Sequence, residues 1–128
     1  VKKILVVDDE AAIAEVLSEL LEMAGYQVMV ALNGDDALAV VGRDRPDLIL
    51  TDVMMAGMDG PTLCCKLGEN PSDRQIPVLF MSAVRRVSAV NGCNMVGFIA
   101  KPFDIDLLLE TIARVLEKPS PPKGKATR

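Results

Sequence analysis

Short runs of consecutive apolar residues alternate along this chain with longer stretches in which apolar residues recur every three or four positions. Ile4-Leu5-Val6-Val7 is unbroken rather than alternating, the pattern of a strand covered on both faces of a parallel sheet. Between Glu10 and Ala24, Ile13, Val16, Leu17, Leu20 and Leu21 fall on one helical face, and Gly25 stops that helix. Gln27 to Leu32 reads as a second strand and Asn33-Gly34 as a turn. A short helix from Asp35 to Gly42 follows, and then a third strand from Leu48 to Thr51 that ends at Asp52. Met54 to Gly60 is a loop. Pro61 suits the first turn of a third helix capped by Asp59 or Gly60 and fading at Gly68. After a polar loop from Glu69 to Gln75 comes a fourth strand, Pro77 to Met81. Val84 to Gly97 has poor helical periodicity, and the fourth helix expected there is short or irregular. Phe98-Ile99-Ala100 reads as a fifth strand. Asp104 can cap a last helix bearing Ile105, Leu108, Leu109, Ile112 and Leu116.

Strands alternating with helices predict an α/β fold: a doubly wound five-stranded parallel sheet with about five helices in the flavodoxin-like order 2-1-3-4-5. A length of 128 residues suits one domain. We expect it to occupy residues 1–117, followed by a disordered Pro/Lys-rich tail at 118–128. With 3% aromatic residues and no Trp, the core must be aliphatic. No apolar run approaches the roughly 20 residues that span a bilayer. Ile4 to Val7 is cut short by Asp8-Asp9-Glu10, too early for a signal peptide, so the chain reads as cytoplasmic. Cys64, Cys65 and Cys93 are odd in number, lack a C-x-x-C spacing and have no His to help hold zinc, and they read as reduced core or surface residues.

The net charge of −4 conceals an asymmetry. Four of the 14 bases lie in the last eleven residues, which contain no acid, so residues 1–117 carry 10 bases against 18 acids, a net −8. Such a body disfavours a nucleic-acid backbone and suits a divalent cation.

In a sheet of this order ligands bind outside the carboxyl ends of the strands. There the sequence places Asp8-Asp9 after strand one, Asp52 after strand three, Ser82 after strand four and Lys101 after strand five. Carboxylates brought together repel unless protonated or bridged by a cation, and oxygen ligands without His or Cys favour Mg²⁺. Acids to hold a metal, one acid to attack, a lysine and a hydroxyl suit phosphoryl transfer, with Asp52 forming an aspartyl phosphate. Each residue alone has a plainer reading. Asp8-Asp9 could be a solvated turn and cap, Ser82 a satisfied strand end, Lys101 a surface lysine and Phe98 core packing. Their joint placement at the strand ends favours chemistry.

The motifs Ile4-Leu5-Val6-Val7-Asp8-Asp9-Glu10, Pro46 to Met55 around Asp52, Gly57-Met58-Asp59-Gly60, Ile76-Pro77-Val78, Met81-Ser82-Ala83 and Lys101-Pro102-Phe103 appear in this order. Over roughly residues 3–117 the chain resembles the CheY-like receiver domains of two-component response regulators. The resemblance implies that Asp52 is the phosphoacceptor. It implies Asp9, Asp52 and the backbone carbonyl of Met54 as Mg²⁺ ligands, with Asp8 acting through water. Ser82 and Phe98 would be the switch pair, Lys101 would meet the phosphoryl oxygens, and the Lys101–Pro102 peptide would be cis. The phosphoryl donor would be a histidine kinase or phosphotransfer protein. The domain would catalyse its own phosphorylation and slow dephosphorylation while serving as a signalling switch. Its output and homodimer face would comprise the fourth helix, fifth strand and fifth helix. Only 19 positions separate Ser82 from Lys101, fewer than in most of the family, and the shortfall lies in Val84 to Gly97.

Two rival readings follow from the same residues. One is a pseudo-receiver used only for docking, which would not need the full acid set. The other is a phosphatase with an Asp-x-Asp motif, which would need an acid where Met54 stands.

Overall fold

A computed structural model describes residues 1–83 and 92–117. Strands β1 (Lys3–Val7), β2 (Gln27–Ala31), β3 (Leu48–Asp52), β4 (Pro77–Ser82) and β5 (Asn94–Ala100) alternate with helices α1 (Ala11–Met23), α2 (Gly34–Arg43), α3 (Gly60–Gly68) and α4 (Ile105–Glu117). The strands form one sheet in the order β2-β1-β3-β4-β5, with every neighbouring pair parallel. Four α-helices are described against the five expected. The fourth helix expected within Val84 to Gly97 falls largely on residues 84–91, which lie outside the described residues, as do residues 118–128.

The unbroken apolar runs are explained by burial on both faces. Successive strand residues point to opposite sides. Leu5, Val7, Ile49, Val78 and Phe80 enter one core with α2 and α3, while Ile4, Val6, Leu48, Leu50, Leu79 and Met81 enter the other with α1 and α4. All of these strand side chains are essentially inaccessible. Each large apolar side chain so placed contributes about 1.5–3 kcal/mol relative to exposure. No described helix is long and apolar enough to cross a membrane.

Several boundaries differ from the sequence reading. Asn33 is not a turn residue but the N-cap of α2, its side-chain oxygen accepting from the Asp36 N–H at 2.8 Å. Val16 lies on the solvent side of α1, whose buried stripe is Ala14, Leu17 and Leu21. That stripe is spaced three and four residues apart, which turns Val16 away from it. The loop before β4 contains a 3₁₀ turn, Asp73–Gln75. Most important, β5 begins at Asn94 rather than Phe98. It is an edge strand whose first three residues, Asn94, Met95 and Val96, are exposed, Gly97 breaks its apolar run, and a bulge opposite Val78/Leu79 shifts its register. Gly97 sits at this irregularity, where a Cβ would lie 3.1 Å from Leu79 Cδ1.

The cysteine reading is also corrected. Cys64 of α3 and Cys93, just before β5, form a disulfide with Cα atoms 5.1 Å apart, while Cys65 is a free, exposed thiol. The partners are 29 residues apart in sequence, so only the tertiary fold brings them together.

Candidate functional site

The parallel register brings the carboxyl ends of four strands side by side. Val7 pairs with Thr51, Asp52 with Met81, and Ser82 with Ala100. The next residue after each end therefore opens onto the same rim. Asp8 is wholly buried there, Asp52 is 7% exposed, and Asp9 projects into solvent. A carboxylate oxygen from each of the three lies within 4.8 Å of the others.

Lys101 crosses the end of β4 to reach this group. Its backbone N–H donates to the Ser82 carbonyl at 2.7 Å, which fixes where the side chain starts. Its Nζ donates to Asp52 Oδ2 at 2.9 Å and to Asp8 Oδ2 at 3.4 Å. Burial works to lower the Lys101 pKa, but the hydrogen bond and charge of Asp52, followed by those of Asp8, outweigh it and hold the ammonium above its ordinary value. The peptide bond between Lys101 and Pro102 is cis.

Backbone donors complete the arrangement. The Glu10 N–H donates to Asp8 Oδ1 at 2.9 Å, and the Ala56 N–H donates to Asp9 Oδ2 at 2.9 Å. Among the described residues, Asp52 Oδ1 has no hydrogen-bond partner. The loop after β3 is turned by Gly57, which has a positive φ of 77°. Its far end is Gly60, where α3 presses directly on the site: a Cβ there would lie 2.6 Å from the Asp52 carbonyl oxygen and 2.8 Å from the Phe80 ring. Asp59 caps α3 by accepting from the Thr62 N–H at 2.8 Å.

Asp8, Asp9, Asp52 and Lys101 thus converge as their places on the strands imply. Ser82 is buried at the end of β4, beside the backbone of Lys101. Met54 stands in the loop two residues beyond Asp52 and is 67% exposed. Phe98 lies farther back on β5, half-buried against the α2–α3 core. The amide of Ala56 and the close approach at Gly60 are not read from the sequence. A backbone donor carries no side-chain signature, although the two glycines around Met58-Asp59 do mark a constrained loop.

Three carboxylates against one lysine leave a formal charge of −2 in a partly buried rim. That all-oxygen donor set, without His or thiolate, fits a hard divalent cation rather than zinc or copper.

Comparison with known proteins agrees with this geometry. The family described as "Response regulator receiver domain" matches residues 4–113. The response regulator PleD of Caulobacter vibrioides is 42% identical over 119 residues, which are 91% of this chain but only 26% of PleD. The chain thus spans about a quarter of that relative's length. Sporulation initiation phosphotransferase F of Bacillus subtilis is 36% identical over 90% of this chain and 94% of its own length. Among solved structures, the chemotaxis protein CheY4 of Vibrio cholerae superposes with a TM-score of 0.81 at 32% identity, covering 89% of this chain and 98% of CheY4. The signal receiver domain of a histidine kinase from Syntrophus aciditrophicus gives 0.83 at 34% identity, covering 99% of this chain and all of that one. Sheet order, family match and relatives agree, and the chain belongs to the response regulator receiver domain family.

Proposed function

We propose that residues 1–117 form a phosphoacceptor switch in which Asp52 takes a phosphoryl group from the phosphohistidine of a histidine kinase or phosphotransfer protein. The observation that carries this reading is the state of the Asp52 carboxylate. One oxygen is held by Lys101 at 2.9 Å and the other has no described partner, on a rim otherwise lined by Asp8 and Asp9. Oδ1 attacks phosphorus. A P–O bond forms, the P–N bond of the donor breaks, and its electron pair returns to the imidazole. The Lys101 ammonium, already poised between Asp8 and Asp52, moves its charge onto the arriving phosphoryl oxygens.

Asp9, Asp52 and the Met54 carbonyl would hold Mg²⁺, with Asp8 acting through water. The bound ion would neutralise the carboxylates and the phosphoryl oxygens. Ser82 donates its hydroxyl to the phosphoryl group, and Phe98 follows it by changing its exposure. Phosphorylation adds about −1.5 to −2 charges at this rim. That change biases the surface around β5 and α4 between two arrangements and so alters what it binds, a partner protein or a second copy of the chain.

The test is incubation with acetyl phosphate and Mg²⁺ followed by intact mass measurement. The wild type should gain one phosphoryl group and Asp52→Asn none. A wild type that never forms the adduct across a range of pH and Mg²⁺ sinks the proposal. Tb³⁺ titration separates it from the docking-only reading, which requires no metal binding.

A further inference from the structure

The Cys64–Cys93 bridge plays no part in the phosphoacceptor site, yet its position is specific. Cys64 is wholly buried in the core between α3 and the sheet, while Cys93 is half-exposed at the entry to β5. Around it the two backbones touch. A Cβ on Gly68 would strike the Gly92 carbonyl, and Gly92 itself has a positive φ of 106°. Among the described residues, the first residues of β5 have few other restraints. Asn94, Met95 and Val96 are exposed on an edge strand with a single neighbour, and one side-chain hydrogen bond, from Asn94 Nδ2 to the Gln75 carbonyl at 3.2 Å, ties them to the loop before β4.

We propose that Cys64–Cys93 is a reversible thiol–disulfide latch that pins the entry of β5 to α3 when closed and frees it when opened by a small thiol of the glutathione class. The two sulfurs differ in a way that suits exchange. A thiolate can reach Cys93 from solvent, whereas Cys64 is shielded. Attack on Cys93 Sγ breaks the protein S–S bond and leaves its electron pair on Cys64 Sγ, which takes up a proton. A second thiolate attacks the small-molecule sulfur of the mixed disulfide and releases Cys93 as a thiol. Two small thiols are oxidised to one disulfide, and the protein disulfide is reduced to two thiols. The opened state is tolerated because a buried cysteine packs as a small apolar residue. Cys65, the neighbouring residue on α3, points to solvent and is not part of the latch, since adjacent residues on a helix do not share a face.

The full chain is equilibrated in glutathione buffers of graded ratio, approached from both the oxidised and the reduced side, then acid-quenched, alkylated and weighed. One thiol should be modified at the oxidising end and three at the reducing end, with a common midpoint. Hydrogen exchange on the same samples should show Met95 to Gly97 exchanging at least about tenfold faster once the bridge opens, with Ile4 to Val7 unchanged. Cys93→Ser should give the fast pattern in every buffer, and Cys65→Ser should leave the transition intact. The proposal is overturned by three reactive thiols throughout, by a bridge that glutathione never opens, by loss of the transition in Cys65→Ser, or by β1 losing protection together with β5. None of these readouts depends on phosphorylation, so failure of the latch and failure of the phosphoacceptor reading are seen separately.

Discussion

β3 and β5 lie two strands apart in one sheet, deliver Asp52 and Lys101 to the same rim, and are built differently. All five residues of β3 are buried, and the strand has parallel neighbours on both sides. β5 has one neighbour, is exposed over its first three residues, carries a bulge, and has its entry fastened by a disulfide. The proposed phosphoacceptor, Asp52, is therefore held by a strand buried along its whole length, and the lysine that pairs with it by one that is exposed over its first three residues. This division suits a switch. On the proposed reading, the attacking oxygen sits on the strand with neighbours on both sides, whereas the lysine that would meet the phosphoryl group directly follows the edge strand.

The sharpest test of the contrast is truncation within each region. Leu50→Ala, in the centre of β3, should cost about 2–5 kcal/mol in urea unfolding, as large-to-small core changes do. Met95→Ala on β5, where the residue is 37% exposed, should cost less than about 1 kcal/mol. Equal losses would erase the distinction. Next comes the counter-charge. Lys101→Met keeps the stem but removes the ammonium that bridges Asp8 and Asp52. Phosphoryl adduct formation on Asp52, followed by mass, should slow about 100-fold, the usual effect of losing one preorganised charge-stabilising donor. An unchanged rate would mean that the edge strand contributes nothing to the chemistry.

The same contrast explains what could be read without coordinates. Strands covered on both faces need apolar residues at every position, so β1, β3 and β4 stand out as unbroken runs. Acids at the ends of such runs, Asp8-Asp9 and Asp52, mark the rim when they are taken together. An edge strand obeys no such rule. Asn94 and Gly97 hide β5 behind loop-like residues, although a Cβ at Gly97 would lie 3.1 Å from the side chain of Leu79. Asn33-Gly34 reads as a turn for a related reason: the side-chain oxygen that closes a turn also caps a helix, and only the following residues decide which. The disulfide was illegible because its halves meet only once α3 and β5 are packed. The Ala56 amide that holds Asp9 was illegible because every residue but proline has such a group.

Two glycines turn that lesson into a finer test. Gly60→Ala would set a Cβ 2.6 Å from the Asp52 carbonyl and 2.8 Å from the Phe80 ring, where backbone and core leave little room to yield. It should destabilise the fold by about 1–3 kcal/mol and slow the adduct as well. Gly97→Ala meets only the far end of Leu79, at 3.1 Å, and should cost clearly less.

The smallest effect is expected where charge alone is involved. Arg114 and Glu110 pair at 3.9 Å along α4, with side chains 62% and 70% exposed. Water screens an exposed pair at that distance, and ordering two long side chains offsets most of what remains, so Glu110→Ala should change unfolding stability by less than about 0.5 kcal/mol. Raising the salt concentration should reduce even that difference. A loss comparable with Gly60→Ala would show that α4 is held to the sheet by its surface charges. The expected near-zero result instead leaves Leu108 and Ile112, the two residues it buries completely, as the anchors that hold this helix against the sheet.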